Sequence, residues 1–311
     1  MSIIRGNSFK GYACVITAAF LWASSGNAGK ALFNGGMDAF ELVQIRVTLA
    51  AIILGLALAI FRRELLKIRI KDIGYFLLLG SIGMSILQGS YFYAISKIQV
   101  AAAILIQYMA PIFVALYSIL FWKEKFSLSK GVSLLLAFGG CYLVVGGYNL
   151  DLLSMNKIGI AAGLISAVSF AAYTLLGERG MHSYKPFTVL FYALAFATIP
   201  WHIFYTPFHY LTAGFTLSQW WWITYIAVAG TILPFGLYFV GINFIRSTHA
   251  SIIATLEPII AGVIAFLILH EKMEIFQIIG GIMVIAAIIT LQLYHQPDNL
   301  SPEIIRGKSK T

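Results

Sequence analysis

One acid stands inside an apolar run that should hold none. Glu257 is the eleventh residue of the run 247–269, and Pro258 follows it directly. A charge at the centre of a bilayer-spanning run costs about 2.5–3.5 kcal/mol on insertion scales, so such a residue needs a cavity or a polar partner. Pro258 removes a backbone donor and frees a carbonyl one turn earlier, which brings polar backbone to the same depth. An ammonium group, a proton or a polar group of a neighbouring helix could use that site. The other reading is a structural, protonated glutamate bonded to an Asn or Gln.

Gln107, Tyr108 and Pro111 repeat this arrangement in the run 98–122. Side chains of this kind at membrane depth need hydrogen-bond partners, from a cavity or from another helix. Trp22, Ser24, Ser25 and Asn27 break the first apolar run with small and polar groups, and Phe170, Tyr173 and Thr174 do so in the sixth. Gln88 and Tyr91 in the third run and Thr231, Tyr238 and Asn243 in the eighth complete a ring of candidate cavity residues. Lone tyrosines can equally be interface anchors or packing groups. Two free-standing histidines, His202 and His249, and two cysteines, Cys14 and Cys141, have no metal-ligand spacing. No phosphate-cradling Gly-Lys-Ser/Thr loop is present, which argues against ATP-driven work. No cofactor is expected.

The elements that must hold these residues follow from composition. Of 311 residues, 60% are hydrophobic and 11% charged, and mean hydropathy is +0.87. A soluble domain carries about 25% charged residues. The chain is therefore read as an all-α membrane protein. Runs of about 20 apolar residues span a bilayer as helices. Ten are expected, at 11–33, 40–61, 73–95, 98–122, 131–148, 158–177, 186–205, 219–244, 247–269 and 275–294.

Two stretches are copies. Tyr91–Lys125 and Tyr238–Lys272 superpose on a shift of 147 residues, which aligns Pro111 with Pro258 and Glu124-Lys125 with Glu271-Lys272. A proline and a terminal Glu-Lys at one offset are hard to obtain by chance, so a duplicated unit is expected. A weaker echo at 148 puts Trp22 on Phe170 and Lys30 on Glu178. The organisation expected is a five-helix unit over 1–148, a second over 149–294, and a polar tail over 295–311.

Basic residues set the orientation. With a cytoplasmic N-terminus, sixteen Lys and Arg fall inside and three outside, while Lys30 and Arg46 lie within runs. Both termini are then cytoplasmic and the chain lies in the cell membrane. The net charge of +9 reads as topology rather than nucleic-acid binding. Five helices per unit is an odd number, so the second unit enters upside down, an inverted repeat of the kind that supports alternating access. Lys30 and Arg46 sit toward the outer ends of the first two helices. They either snorkel or gate, pairing with Glu41 or Glu271.

The two five-helix units, the paired Pro111 and Pro258, the helix-ending Lys-Glu-Lys and His-Glu-Lys, and the run Trp22–Ala28 together resemble the drug/metabolite transporter superfamily, in particular its EamA-type ten-helix carriers. That resemblance covers 11–294. It implies a secondary carrier, often an exporter of amino acids, other metabolites or toxic compounds, with helices 1, 3, 4, 6, 8 and 9 around the cavity. The expected substrate is small and amphipathic, neutral or zwitterionic, with protons as a coupling partner through Glu257. An importer of the same fold, a membrane-embedded enzyme and a non-transporting scaffold are the alternatives. An enzyme would need clustered His, Asp or Glu, which the sequence lacks. A scaffold would need neither the acid nor the paired prolines.

Overall fold

The apolar runs become helices because an isolated backbone in hydrocarbon has to satisfy its own hydrogen bonds. The structure, a computed structural model, describes residues 2–34, 36–98, 100–124, 127–145, 147–148, 156–269, 274–293 and 301–308. Among these residues there is no β-strand. The helices are α1 (Ser2–Asn34), α2 (Ala39–Phe61), α3 (Ile73–Leu77), α4 (Ser85–Lys97), α5 (Val100–Gln107), α6 (Ala110–Leu120) and α7 (Leu128–Val144). They continue with α8 (Lys157–Met181), α9 (Pro186–Phe204), α10 (Leu217–Ala227), α11 (Leu233–Ala254), α12 (Leu256–Leu269), α13 (Ile275–Leu293) and α14 (Pro302–Lys308). Polar residues in the connections start several of them. Asp38 accepts from the N–H groups of Phe40 (2.9 Å) and Glu41 (3.1 Å) at the head of α2. Thr216 and Gln219 form a reciprocal capping box on α10.

Among the described residues, seven stretches are long and apolar enough to cross a bilayer. They correspond to the expected segments two, three, four, six, seven, eight and ten. The other three expected segments differ in form. α1 carries the polar break around Ser24 and Ser25. α7 has 17 residues, short of a full span. The ninth segment is split at Thr255 between α11 and α12, so neither piece is long enough alone. The outward surface of the bundle carries large apolar side chains, among them Leu56, Ile60, Leu135, Ile203, Trp221 and Ile282. So much exposed apolar surface suits lipid and not water.

Irregular backbone recurs at matching places. A π-helical segment, Leu78–Met84, joins α3 to α4, and a second, Val228–Ile232, joins α10 to α11. α5 breaks at Tyr108–Met109 before Pro111, and α11 breaks at Thr255 before Pro258. Ile98 leaves the helix with φ −134° and ψ 169°, and Arg246 kinks α11 with φ 68° and ψ 167°. A shift of 147 carries 108 onto 255, and 98 onto 245, one residue before the Arg246 kink.

The packing pairs exchange in the same way. α1 lies along α11 while α8 lies along α4, and α7 packs on α13 while α2 packs on α9. The α7–α13 contact is close because of two glycines. A Cβ at Gly140 would come 2.6 Å from the Gly280 carbonyl oxygen, and one at Gly280 would come 2.5 Å from that of Gly140. Small residues permit this approach between membrane helices.

Candidate functional site

A cavity of about 440 Å³ opens among α1, α2, α4, α5, α8, α10, α11 and α12. That volume is in the range of small-molecule sites. Its position follows from the breaks. Where α5 stops at Gln107, Tyr108 turns inward, and where α12 starts beyond Thr255, Glu257 meets it. The Tyr108 hydroxyl donates to Glu257 Oε2 at 2.7 Å. This bond joins the two halves of the chain across 149 positions. Arg46 from α2 and Gln88 and Tyr91 from α4 also line the space.

Two further polar side chains on the lining are engaged. Gln107 Nε2 donates to Ser166 Oγ at 3.0 Å, and Ser25 Oγ donates to the Trp22 carbonyl at 3.0 Å. Trp22 forms the aromatic wall, edge-on to Phe235 with centroids 5.0 Å apart and near Phe170 at 6.5 Å. Most of the remaining lining is aliphatic, including Leu42, Leu87, Ile95 and Ile104.

Of the residues singled out from sequence, Trp22, Ser25, Arg46, Gln88, Tyr91, Gln107, Tyr108 and Glu257 therefore meet at one cavity. Tyr173 and Tyr238 do not line it. Both are fully buried behind the wall. Tyr173 stacks on Phe239 at 5.0 Å, and the Tyr238 hydroxyl shares a 3.1 Å hydrogen bond with Thr174. Helical phase turns them into the core, where a tyrosine ring packs as readily as it lines a cavity. Pro111 and Pro258 are buried and act on the backbone, each within the first turn of a helix that follows a break. The side chains of Asn27 and Lys30, and all of Glu271, lie outside the described residues. Arg46 makes no ion pair with Glu41. It faces the cavity instead, because two turns into α2 it points at α4 rather than at the helix end.

The profile of the EamA-like transporter family matches residues 9–146 and again 157–292. The chain belongs to the EamA-like transporter family. It is 25% identical over 295 residues to the uncharacterized inner membrane transporter YicL of Salmonella typhimurium, covering 93% of this chain and 97% of that one. It is 27% identical to the uncharacterized transporter YxxF of Bacillus subtilis, covering 80% of each. An uncharacterized transporter of Archaeoglobus fulgidus is 28% identical over 64% of this chain and 70% of its own length. A crystal structure with 16% identity superposes with a TM-score of 0.75 over 91% of this chain and 96% of that one. The fold is shared with that structure. The chain is a multi-pass membrane transporter of this family.

Sequence reasoning missed a second polar centre of this EamA-like transporter. It lies toward the other end of the bundle from the cavity, where α6 and α8 finish. Arg246 Nε contacts Glu178 Oε1 at 3.0 Å, and its Nη1 contacts Glu124 Oε2 at 3.4 Å. Glu178 Oε2 also accepts from the Ser247 N–H at 2.7 Å. Glu124 accepts from Thr248 Oγ1 at 3.0 Å and from Lys130 Nζ at 2.5 Å. All three charges of the Glu124–Arg246–Glu178 chain are buried. A φ of 68° with extended ψ is a conformation that side-chain-bearing residues adopt at a cost of about 1–3 kcal/mol. The two carboxylates hold Arg246 there. From the tail, Arg306 reaches the carbonyls of Met181 (2.5 Å) and Tyr184 (3.0 Å) and Asn243 Oδ1 (3.0 Å). A hint was present in the sequence, since Glu124, Glu178 and Arg246 all fall at or near run ends. Counting Arg246 as a topology charge, and Glu124 and Glu178 as repeat markers, concealed that they meet.

Proposed function

We propose that this transporter is a secondary carrier that moves small amphipathic metabolites, amino acids or related compounds, out of the cell by alternating access through the Trp22–Glu257 cavity. The observation that carries the reading is the hydrogen bond between Tyr108 and Glu257 at that cavity. It ties the broken helix of one half to the broken helix of the other, at the spot where an aqueous substrate has to be met. The architecture proposed is ten membrane crossings in two inverted halves, 1–148 and 149–294, with both termini and the tail 295–311 cytoplasmic. The exchange of packing pairs and the matched backbone breaks at one offset support it, as does the double match of the family profile.

On this reading the cavity faces outward. The Glu124–Arg246–Glu178 chain and the aromatic layer of Tyr173, Tyr238 and Phe239 close the cytoplasmic side. Trp22, Ser25, Gln88, Tyr91, Gln107 and Tyr108 bind substrate, and Glu257 binds an ammonium group or a coupling proton. Pro111 and Pro258 provide the hinges. Inward opening requires the buried ion pairs to separate while the outer rim closes.

Counterflow in proteoliposomes tests this. Vesicles preloaded with a mixture of unlabelled amino acids are expected to accumulate at least one labelled amino acid transiently. Glu257→Gln is expected to abolish the pH dependence of that exchange. A protein that folds and inserts but exchanges no amino acid at any pH discards the substrate class. Unchanged pH dependence in the variant discards the coupling role.

A further inference from the structure

Among the described residues the cavity lining holds one cation and one anion, and no ion pair joins them. Arg46 lines it from α2 and Glu257 from α12. Glu257 is engaged by the Tyr108 hydroxyl. Arg46 forms no ion pair among the described residues, and its buried Nε has no hydrogen-bond partner. A second donor on the same lining, Trp22 Nε1, is also buried and without a partner. Buried donors left unmet cost about 1–3 kcal/mol each, and more when charged. Uncharged side chains such as Tyr173 and Trp201 also leave a buried polar atom unmet, but two other arginines of the fold do not: Arg246 takes two carboxylates and Arg306 two carbonyls and an amide. Of these three arginines Arg46 is the exception, and it is the one that lines the cavity.

A guanidinium in a mostly apolar cavity has a natural complement in a carboxylate, whose two oxygens match its fork of N–H groups. We propose that Arg46 is the carboxylate-binding group of this cavity, assisted by Trp22 Nε1, and that with Glu257 on the other wall it selects apolar α-amino acids over their amines and amides. This deepens the carrier reading and rests on it for the word substrate. The binding site itself can be tested without transport. The arrangement differs from a gate or a snorkelling side chain in one respect. It makes the carboxylate, and not only the ammonium, a condition of binding. The aliphatic and aromatic walls provided by Leu87, Phe92 and Phe235 take the hydrocarbon side chain.

The probes are four forms of one skeleton: L-leucine, L-leucinamide, 3-methylbutylamine and 4-methylpentanoate. The same four forms built on valine and on phenylalanine extend the series. Purified full-length protein is titrated with each, and the thermal midpoint is followed. The zwitterions are expected to bind about tenfold or more tightly than the amides and amines, since a charge-assisted pair is lost in the latter. Arg46→Gln is expected to bring zwitterion and amide to the same affinity while leaving the amines unchanged. Arg46→Lys, which keeps the charge without the fork, is expected to restore part of the preference and covers the case in which the Gln variant fails to fold. Three outcomes overturn the proposal: no carboxylate-bearing probe stabilises the wild-type protein, amides match the zwitterions, or Arg46→Gln keeps the preference. Counterflow with the same probes separates the two readings. Binding through Arg46 without exchange removes the carrier and keeps the site. Exchange of amides and zwitterions at equal rates does the reverse.

Discussion

At the scale of single residues, the sequence exposed those whose type is improbable in hydrocarbon. Glu257, Gln88, Gln107 and Arg46 are costly there, and all of them reach the cavity. Tyrosine carries a weaker signal because its ring suits a core as well as a cavity. Tyr91 and Tyr108 line the space while Tyr173 and Tyr238 pack behind it, and only helical phase distinguishes the two pairs. The polar centre around Arg246 was illegible for another reason. Its charges lie far apart in sequence, and each alone resembles an interfacial residue. His182 borders that centre, next to the Trp122 ring, and provides a pH test of it. Burial, followed by the charges of Arg246, Arg179 and Arg306, holds its imidazole below the ordinary histidine value. The folded state then binds fewer protons than the unfolded one just below the unfolded value of about 6.5, so stability falls as pH drops through that window and into the folded value. Thermal midpoints measured from pH 7.5 to 5.0 are expected to decline, and His182→Gln to decline less. Parallel curves for the two proteins would dissociate His182 from that centre.

At the scale of elements, periodicity was of little use and breaks were informative. Runs as apolar as these form helices whatever their phase, so the sequence pattern locates spans without orienting them. Pro111 and Pro258 each follow a break by two or three residues, whereas α9 runs on through Pro200. Of the two π-helical segments, only Val228–Ile232 is followed at once by a proline, Pro234; Leu78–Met84 has none and packs on α9. The glycine pair between α7 and α13 was visible as Gly139-Gly140 and Gly280-Gly281, yet only the structure selects Gly140 and Gly280 as the contact. Gly280→Val should force backbone apart, because its Cβ position lies 2.5 Å from a carbonyl oxygen. Overpacking of this kind costs about 1–3 kcal/mol. Gly262→Val is the control, since nothing lies within 4 Å of its Cβ position. The ratio of folded to aggregated protein after graded heating in detergent should drop for the first variant and hold for the second. Equal behaviour would mean that the α7–α13 contact does not limit stability.

At the scale of the whole molecule, the decisive number is parity. A unit with an odd count of crossings, repeated once, presents its second copy inverted, and an even count does not. In the sequence, the proposed copy rests on a shared proline and a shared Glu-Lys, and its proposed inversion only on the distribution of Lys and Arg. The packing exchange of α1–α11 with α4–α8 fits the proposed two-fold axis in the membrane plane, and α7 against α13 is a pair that this proposed axis would map onto itself. Equivalent residues on a self-mapped pair must then face opposite compartments. Leu128 opens α7 and Ile275 opens α13 at the 147-residue offset, and both are well exposed, at 80% and 69%. With Cys14 and Cys141 replaced, Leu128→Cys and Ile275→Cys can be challenged in intact cells with a membrane-impermeant maleimide. Ile275→Cys is expected to react at once, and Leu128→Cys only after the membrane is opened. Reaction of both from one side would make the crossing number per unit even. The two copies would then stand parallel, and the cavity between them would have no second conformation supplied by symmetry.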